Sequence, residues 1–241
     1  MTDRIIYVLC YDDSSEEQAI RLFSQYPWAR VYRIPADIQS HLFEGVMYQS
    51  ELMKLYDEWK DKKYVGTIAY NIWSKSNPPG NTNTDIWNLK CNHILYHKIL
   101  TPSSYDFVAF LPMTHHHFER HNPSLRTLFE FLCKQLLPRP PLKFGLSNPA
   151  NIDTIPFCFY NYWMTTPAHM LKYIAFFNER WLPMLESHPI VWENAYYNGA
   201  VPPERLLELS KGRCSHYSFH AFINERLPNM YFRLINAKIL L

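Results

Sequence analysis

Glycine is scarce: six residues in 241, none in a GxGxxG or GxxxxGK pattern, which disfavours both a dinucleotide-binding Rossmann fingerprint and a P-loop. The five cysteines, Cys10, Cys91, Cys133, Cys158 and Cys214, are odd in number and never spaced CxxC. That argues against a disulfide framework or a zinc ribbon and fits a reducing compartment. Charge of one sign is also missing: 24 basic and 22 acidic residues are well mixed and leave a net +2, so there is no electrostatic footprint for DNA or RNA. Nowhere do about 18 apolar residues run together, as a membrane span would need. The apolar run near Met1 is too short for a signal peptide. The expectation is a soluble, cytoplasmic protein with no nucleic-acid partner and no transmembrane segment.

What is present suits a large core. Hydrophobic residues make up 47% of the chain and aromatics 16%, and eighteen prolines stiffen the loops, which makes low-complexity disorder an unsuitable description. Arg4 to Cys10 reads as a buried strand, Glu16 to Tyr26 as a helix and Ala29 to Ile34 as a second strand. From Glu51, the residues Leu52, Leu55, Tyr56 and Trp59 follow the i, i+3, i+4, i+7 rhythm of a helix with one apolar face. The run Tyr64 to Tyr70 then reads as a strand buried on both sides. Further along, the pattern predicts helices over Asp85 to Leu100, Pro123 to Leu137, Pro167 to Leu185 and Glu204 to Lys211, and strands over Asp106 to Leu111 and Phe157 to Trp163. Phe219 to Phe232 reads as helical or mixed, and Pro138 to Pro156 as an irregular connection that forms a lid or a seam. The predicted class is α/β, one domain over 1–241, with a central mostly parallel mixed sheet flanked by helices.

Several clusters carry possible chemistry, each with a plainer alternative. Asp12 and Asp13 follow the first strand, where carboxylates either bind a ribose hydroxyl or cap the next helix. His115, His116 and His117, near Glu119 and His121, are either metal ligands or a polar, substrate-facing loop; neighbouring strand residues point to opposite sides, so at most two would converge unless the segment is a loop. Glu225 and Arg226 lie side by side among apolar anchors. Either the arginine grips a phosphate while the glutamate serves as a base, or the two form a buried ion pair. In Phe159-Tyr160-Asn161-Tyr162-Trp163 an amide sits among rings, as in a carbohydrate site, although an aromatic strand is more often core. Glu193 lies within Trp192-Glu193-Asn194-Ala195-Tyr196-Tyr197, where desolvation would suit it to act as a base; a surface position is the commoner fate of a glutamate.

Taken in order, Glu51-Leu52, Tyr56, Trp59-Lys60, Tyr64-Val65-Gly66 and Tyr70 resemble the ELT-x-x-Y-x-x-W-K-N helix and Y-V/I-G-L-x-H-Y-R-R strand of a family of polysaccharide-synthesis glycosyltransferases from bacteria and viruses. Tyr105-Asp106-Phe107-Val108, Asn161-Tyr162-Trp163 with Tyr173 and Phe177, and Glu225-Arg226-Leu227 resemble that family's later motifs, so the likeness spans the chain from about Tyr48 onward. The resemblance implies a GT-A-like nucleotide-sugar-binding domain, donor-binding over about 1–137 and acceptor-shaping over about 157–241. The implied partners are a UDP- or GDP-linked sugar donor and a glycan acceptor. Its implied site has Glu193 or Glu225 as base, Asp12, Asp13, Asn71, Lys75 and Arg226 at the nucleotide and diphosphate, and Asn161 and Trp163 at the sugar or acceptor. His220 is either a further phosphate contact or, as the late histidine of such folds, a ligand for Mn2+ or Mg2+. The chain departs from the family where His-Tyr-Arg-Arg becomes Ala69-Tyr70-Asn71-Ile72, and it has no DxD pair to share a divalent ion with a diphosphate. Those departures fit a second expectation, a non-catalytic carbohydrate-binding or assembly protein on the same fold.

Overall fold

The computed structural model describes residues 2–72, 95–101, 104–110, 161–193 and 201–240, with a few further positions at 112–113, 128, 131–132, 135 and 157–158. Lys75, the histidines at 115–117, and Asn194 to Tyr197 lie outside the described residues, as do most of the helices expected over 85–100 and 123–137 and the connection over 138–156.

A six-stranded mixed sheet forms the centre. Its strands are β1 (Arg4–Cys10), β2 (Ala29–Arg33), β3 (Tyr64–Ala69), β4 (Phe107–Ala109), β7 (Trp163–Thr165) and β8 (Ile239–Leu240), in the order β2-β1-β3-β7-β4-β8. β5 (Pro112–Met113) and β6 (Phe157–Cys158) pair separately. β1 runs parallel to both β2 and β3, β4 runs parallel to β8, and β7 is antiparallel to its two neighbours.

The alternation along β1 explains the two-sided core. Tyr7 and Leu9 face one hydrophobic cluster, while Ile6, Val8 and Cys10 face the other, and all five are fully buried. α1 (Asp13–Phe23) covers the second cluster with Ala19 and Phe23, joined by Leu95 and Ile99 of the helical stretch 95–100. The opposite face is covered by α2 (Leu52–Lys54), α3 (Tyr56–Trp59), α4 (Pro167–Phe176), α5 (Leu182–Ser187), α6 (Pro189–Glu193), α8 (Phe219–Asn224) and α9 (Leu227–Leu234), which supply the larger cluster. α7 (Pro203–Leu209) lies between α6 and α8 in the chain.

The expected helix from Glu51 is real but broken. Met47–Glu51 winds as a π-turn, and Leu55, with ψ near 10°, separates α2 from α3. Its anchors are where the periodicity puts them: Leu52 and Trp59 are fully buried, and the Trp59 indole donates to the Leu52 carbonyl at 2.7 Å. The strand expected over Phe157 to Trp163 is corrected. Trp163 begins β7, and Asn161 lies in the turn before it. Phe219 to Phe232 divides into α8 and α9, because Pro228 in the first turn of α9 cannot extend a preceding helix.

β3 and β7 meet unusually closely. A methyl group on Gly66 would lie 2.3 Å from the Trp163 carbonyl oxygen and 2.7 Å from Met164 Cβ, so only glycine fits there. No helix of the described residues is long and apolar enough to cross a membrane.

Candidate functional site

The chain leaves β1, forms β2 on one side, then returns to place β3 on the other, so the strand order reverses between β1 and β3. In open α/β sheets a crevice at the carboxyl ends of such strands is the usual ligand position. A cleft of about 390 Å³ lies there. Tyr11 and Asp12 follow β1 in its wall, and Ala69, Tyr70 and Asn71 follow β3.

Each wall has a local cause. Asp12 is the N-cap of α1: its carboxylate accepts the Ser15 backbone N–H at 2.8 Å, and the Ser15 hydroxyl accepts the Asp12 N–H at 2.9 Å, closing a capping box. The Ser15 hydrogen bonds hold the Asp12 carboxyl below its usual range. The segment from Gln39 to Glu44 forms a second wall. The Gln39 amide donates to the Tyr11 carbonyl at 3.0 Å, and Arg205 on α7 donates to Gln39 Oε1 at 2.9 Å. Within this segment Phe43 adopts a φ of 48°, a left-handed conformation that costs a non-glycine residue energy. Its ring stacks on Tyr217 at 5.5 Å. The third wall is α8 and its end. Ala221, Phe222 and Glu225 share one helical face toward the cleft, while His220 and Ile223 are buried on another.

Among the described residues the lining combines three carboxylates, Asp12, Glu44 and Glu225, with one guanidinium, Arg205, a formal charge of −2. Gln39 and Asn71 add amides, and Tyr11, Phe43, Tyr70, Tyr217 and Phe222 add ring surfaces. Burial, then the charge of Glu44 and more weakly that of Glu225, pushes the Tyr11 phenol well above its ordinary pKa, so it stays protonated.

No protein family, curated protein or solved structure matches this chain.

Of the residues expected in a site, Asp12, Asn71 and Glu225 line this one cleft although they are remote in sequence. Asp13 is turned outward, where it pairs with Arg33 at 2.5 Å. Arg226 lies behind the wall with its side chain 5% exposed. It donates to the Phe222 carbonyl and lies 3.9 Å from Glu225, so it supports the wall instead of facing a ligand. Asn161 is buried beneath the end of β3, and its backbone carbonyl accepts the Thr67 hydroxyl at 2.7 Å. Trp163 is fully buried, stacked on Tyr48 at 5.4 Å, which makes it core. Glu193 is exposed at the last position of α6. The desolvation expected of it does not occur, because its neighbour Trp192 takes the inward direction. His220 does not face the cleft; it points toward His41 and Glu186.

Sequence reasoning missed Gln39, Phe43, Glu44, Arg205 and Tyr217. Their contribution arises where the 34–45 segment crosses beneath α7 and α8, held in part by the His41 N–H to the Leu209 carbonyl at 3.1 Å. No short motif encodes that crossing. A weak signal was present in Arg205 and Glu208, an i, i+3 ion pair at 2.6 Å that holds the arginine near the wall.

Proposed function

We propose that this chain is a glycosyltransferase of GT-A-like architecture that moves a sugar from a nucleoside diphosphate to a glycan hydroxyl. The observation that carries this reading is the convergence of Asp12, Asn71 and Glu225 on one cleft at the β1–β3 reversal. In it Asp12 and Asn71 contact the nucleoside side of the donor. Arg205 takes the place of the arginines lost after β3, and the stacked Phe43 and Tyr217 rings offer a platform for a sugar face.

Glu225 is the group in reach of an acceptor hydroxyl. Its side chain is 15% exposed and lies 3.9 Å from the Arg226 guanidinium, and as a carboxylate it would take a proton as the acceptor oxygen attacks the anomeric carbon. The proton passes to Glu225, the new glycosidic bond forms, and the nucleoside diphosphate leaves with the electrons of the broken bond. With a lining of −2, a diphosphate needs a cation. Among the described residues no three of the cleft carboxylates converge as one ligand set, so Asp12, Glu44 and Glu225 are the side chains that would have to hold Mn2+ or Mg2+ together with the donor. The ion would neutralise the leaving diphosphate.

Thermal-shift assays against UDP- and GDP-sugars, with and without Mn2+, test the reading, together with donor turnover. Donor-selective stabilisation is expected, and Glu225→Gln should lower turnover by about 10²–10⁴-fold with little change in melting temperature. If no donor stabilises the protein under either condition, the enzyme reading fails. One observation favours a second reading: among the described residues, a single guanidinium beside three carboxylates suits neutral polyols better than phosphates. A carbohydrate-binding protein would be stabilised by free glycans and indifferent to nucleotides.

A further inference from the structure

Behind the wall formed by Gln39 to Glu44, three metal-ligating side chains meet. His41 comes from that segment, Glu186 from α5 and His220 from α8, and their ligand atoms all lie within 4.8 Å of one another. His41 Nε2 is 2.7 Å from Glu186 Oε1, and His220 Nε2 is 3.8 Å from the same oxygen. Zinc at about 2.0–2.2 Å from each donor places tetrahedral ligands about 3.3 Å apart, so the pairs at 2.7 and 3.8 Å would each change by about 0.5 Å and the third, which is no longer than 4.8 Å, by at most about 1.5 Å.

His220 supplies a second, independent sign. Its side chain is fully buried, and its Nε2 has no hydrogen-bond partner although it points into the cluster. Its other nitrogen, Nδ1, lies 2.9 Å from the Ser218 hydroxyl. A proton on Nδ1, donated to Ser218, leaves the Nε2 lone pair directed at the cluster, the arrangement that orients metal-bound imidazoles. Burial above all, then His41 and Arg213, pushes the His220 pKa down to about 2, so the ring is neutral.

The surroundings complete a shell. Glu186 Oε2 accepts from Arg213 at 3.1 Å, which leaves Oε1 to the cluster. The Trp192 ring lies 4.6 Å from the His41 ring and 4.2 Å from the His220 ring, with the Arg213 guanidinium stacked 3.7 Å over it.

We infer that His41, Glu186 and His220 form a zinc site, with water as the fourth ligand, that pins the cleft-lining segment to α5 and α8. Two imidazoles and one carboxylate suit zinc better than magnesium or calcium, which take oxygen donors. The inference stands apart from the glycosyl-transfer reading, since the ligands are not cleft-lining residues and would serve a binding protein equally well.

Protein stripped with chelator and titrated with ZnCl2 by calorimetry should take up one equivalent per chain. Its melting temperature should rise in proportion to the logarithm of free zinc. Co2+ should give ligand-field bands of low coordination number and quench Trp192 fluorescence. His41→Ala and Glu186→Gln, both at partly exposed positions, should each weaken zinc binding by at least about 10–100-fold while the far-ultraviolet spectrum is unchanged. His220→Asn should abolish it. No saturable zinc uptake by the stripped wild-type protein, or wild-type affinity retained in His41→Ala and Glu186→Gln, overturns the inference.

Discussion

Gly66→Ala should damage the joint between β3 and β7 more than any single methyl addition of ordinary kind. The new Cβ would sit 2.3 Å from the Trp163 carbonyl oxygen and within 2.8 Å of Met164 Cβ and Cα, and two of those three atoms are backbone, with no flexible side chain to move aside. An ordinary carbon–oxygen contact begins at about 3.3 Å, so the strands must part by about 1 Å locally. The register pairs at stake are Val65–Thr165, Gly66–Met164 and Thr67–Trp163. Losing two ladder hydrogen bonds at about 0.5–1.5 kcal/mol each, on top of an overpacking cost of about 1–3 kcal/mol, gives roughly 2–6 kcal/mol. For a chain of this size that is a fall in melting temperature on the order of 10 °C. Thermal unfolding followed by far-ultraviolet circular dichroism measures it. The control is Gly212→Ala, where φ is 84° but no atom lies within 4 Å, so only the left-handed backbone penalty of about 1–2 kcal/mol applies. If the Gly66 variant melts within about 2 °C of the wild type, or no lower than the Gly212 variant, β3 and β7 do not approach as described.

Three further outcomes are expected. Asp12→Ala should cost about 1 kcal/mol by removing the α1 cap, whereas Asp12→Asn should keep most of that stability, as chemical denaturation can show. Glu51 is buried; desolvation raises its pKa, but hydrogen bonds from Lys54, Tyr32 and Ser50 outweigh it and hold the carboxyl below the usual range. Its contribution is therefore fully present above the unfolded glutamate pKa of about 4.3 and is lost as pH falls through the lower folded value. Glu51→Gln should then cost about 1.5–3 kcal/mol at pH 7 and less in acid, and urea melts showing a deficit that does not vary with pH would contradict this. Burial chiefly, with Glu16 adding and Arg33 opposing, raises the Cys10 thiol to about 11, so peptide mapping should find Cys10 unlabelled by iodoacetamide in native protein and labelled once it unfolds.

The sheet was more legible than the site, for physical reasons that individual residues show. β1 and β3 are continuous apolar runs because both of their faces are covered, and that pattern is local to each run. The break at Leu55 and the π-turns at Met47–Glu51 and Phe177–Trp181 depend on what the helices pack against, such as Tyr48 on Trp163 and Trp181 donating to Asn224 at 2.9 Å. Periodicity cannot see those partners. Asp12 and Glu225 were readable as polar groups next to predicted element ends. His41 and Glu186 are 145 residues apart, and neither belongs to a spacing that a metal motif would use. His220 meets His41 and Glu186 only where three elements cross, and no local sequence pattern encodes that crossing.

Electrostatics separate the two proposed roles of the cleft, and Glu44 is the residue on which to test them. Within the lining charge of −2, Glu44 contributes one unit without capping a helix, unlike Asp12, and without the assigned proton transfer of Glu225. At an effective dielectric of 20, two unit charges about 6 Å apart interact by about 3 kcal/mol, and salt at physiological strength, with a Debye length of about 8 Å, leaves a part of that in a half-open cleft. Glu44→Gln should therefore tighten metal-free binding of UDP or GDP several-fold, and the gain should shrink as NaCl is raised from 20 to about 500 mM. In Mn2+ the same substitution should weaken nucleotide binding, since Glu44 is one of the carboxylates that would hold the proposed ion. A neutral glycan has no charge to be repelled, so for a carbohydrate-binding protein the substitution costs only a hydrogen bond to a hydroxyl and shows no salt dependence. Calorimetry with nucleotide and glycan at two salt concentrations distinguishes the patterns. Metal-free nucleotide affinity that falls in Glu44→Gln would refute the repulsion argument and, with it, the need for a cation in donor binding.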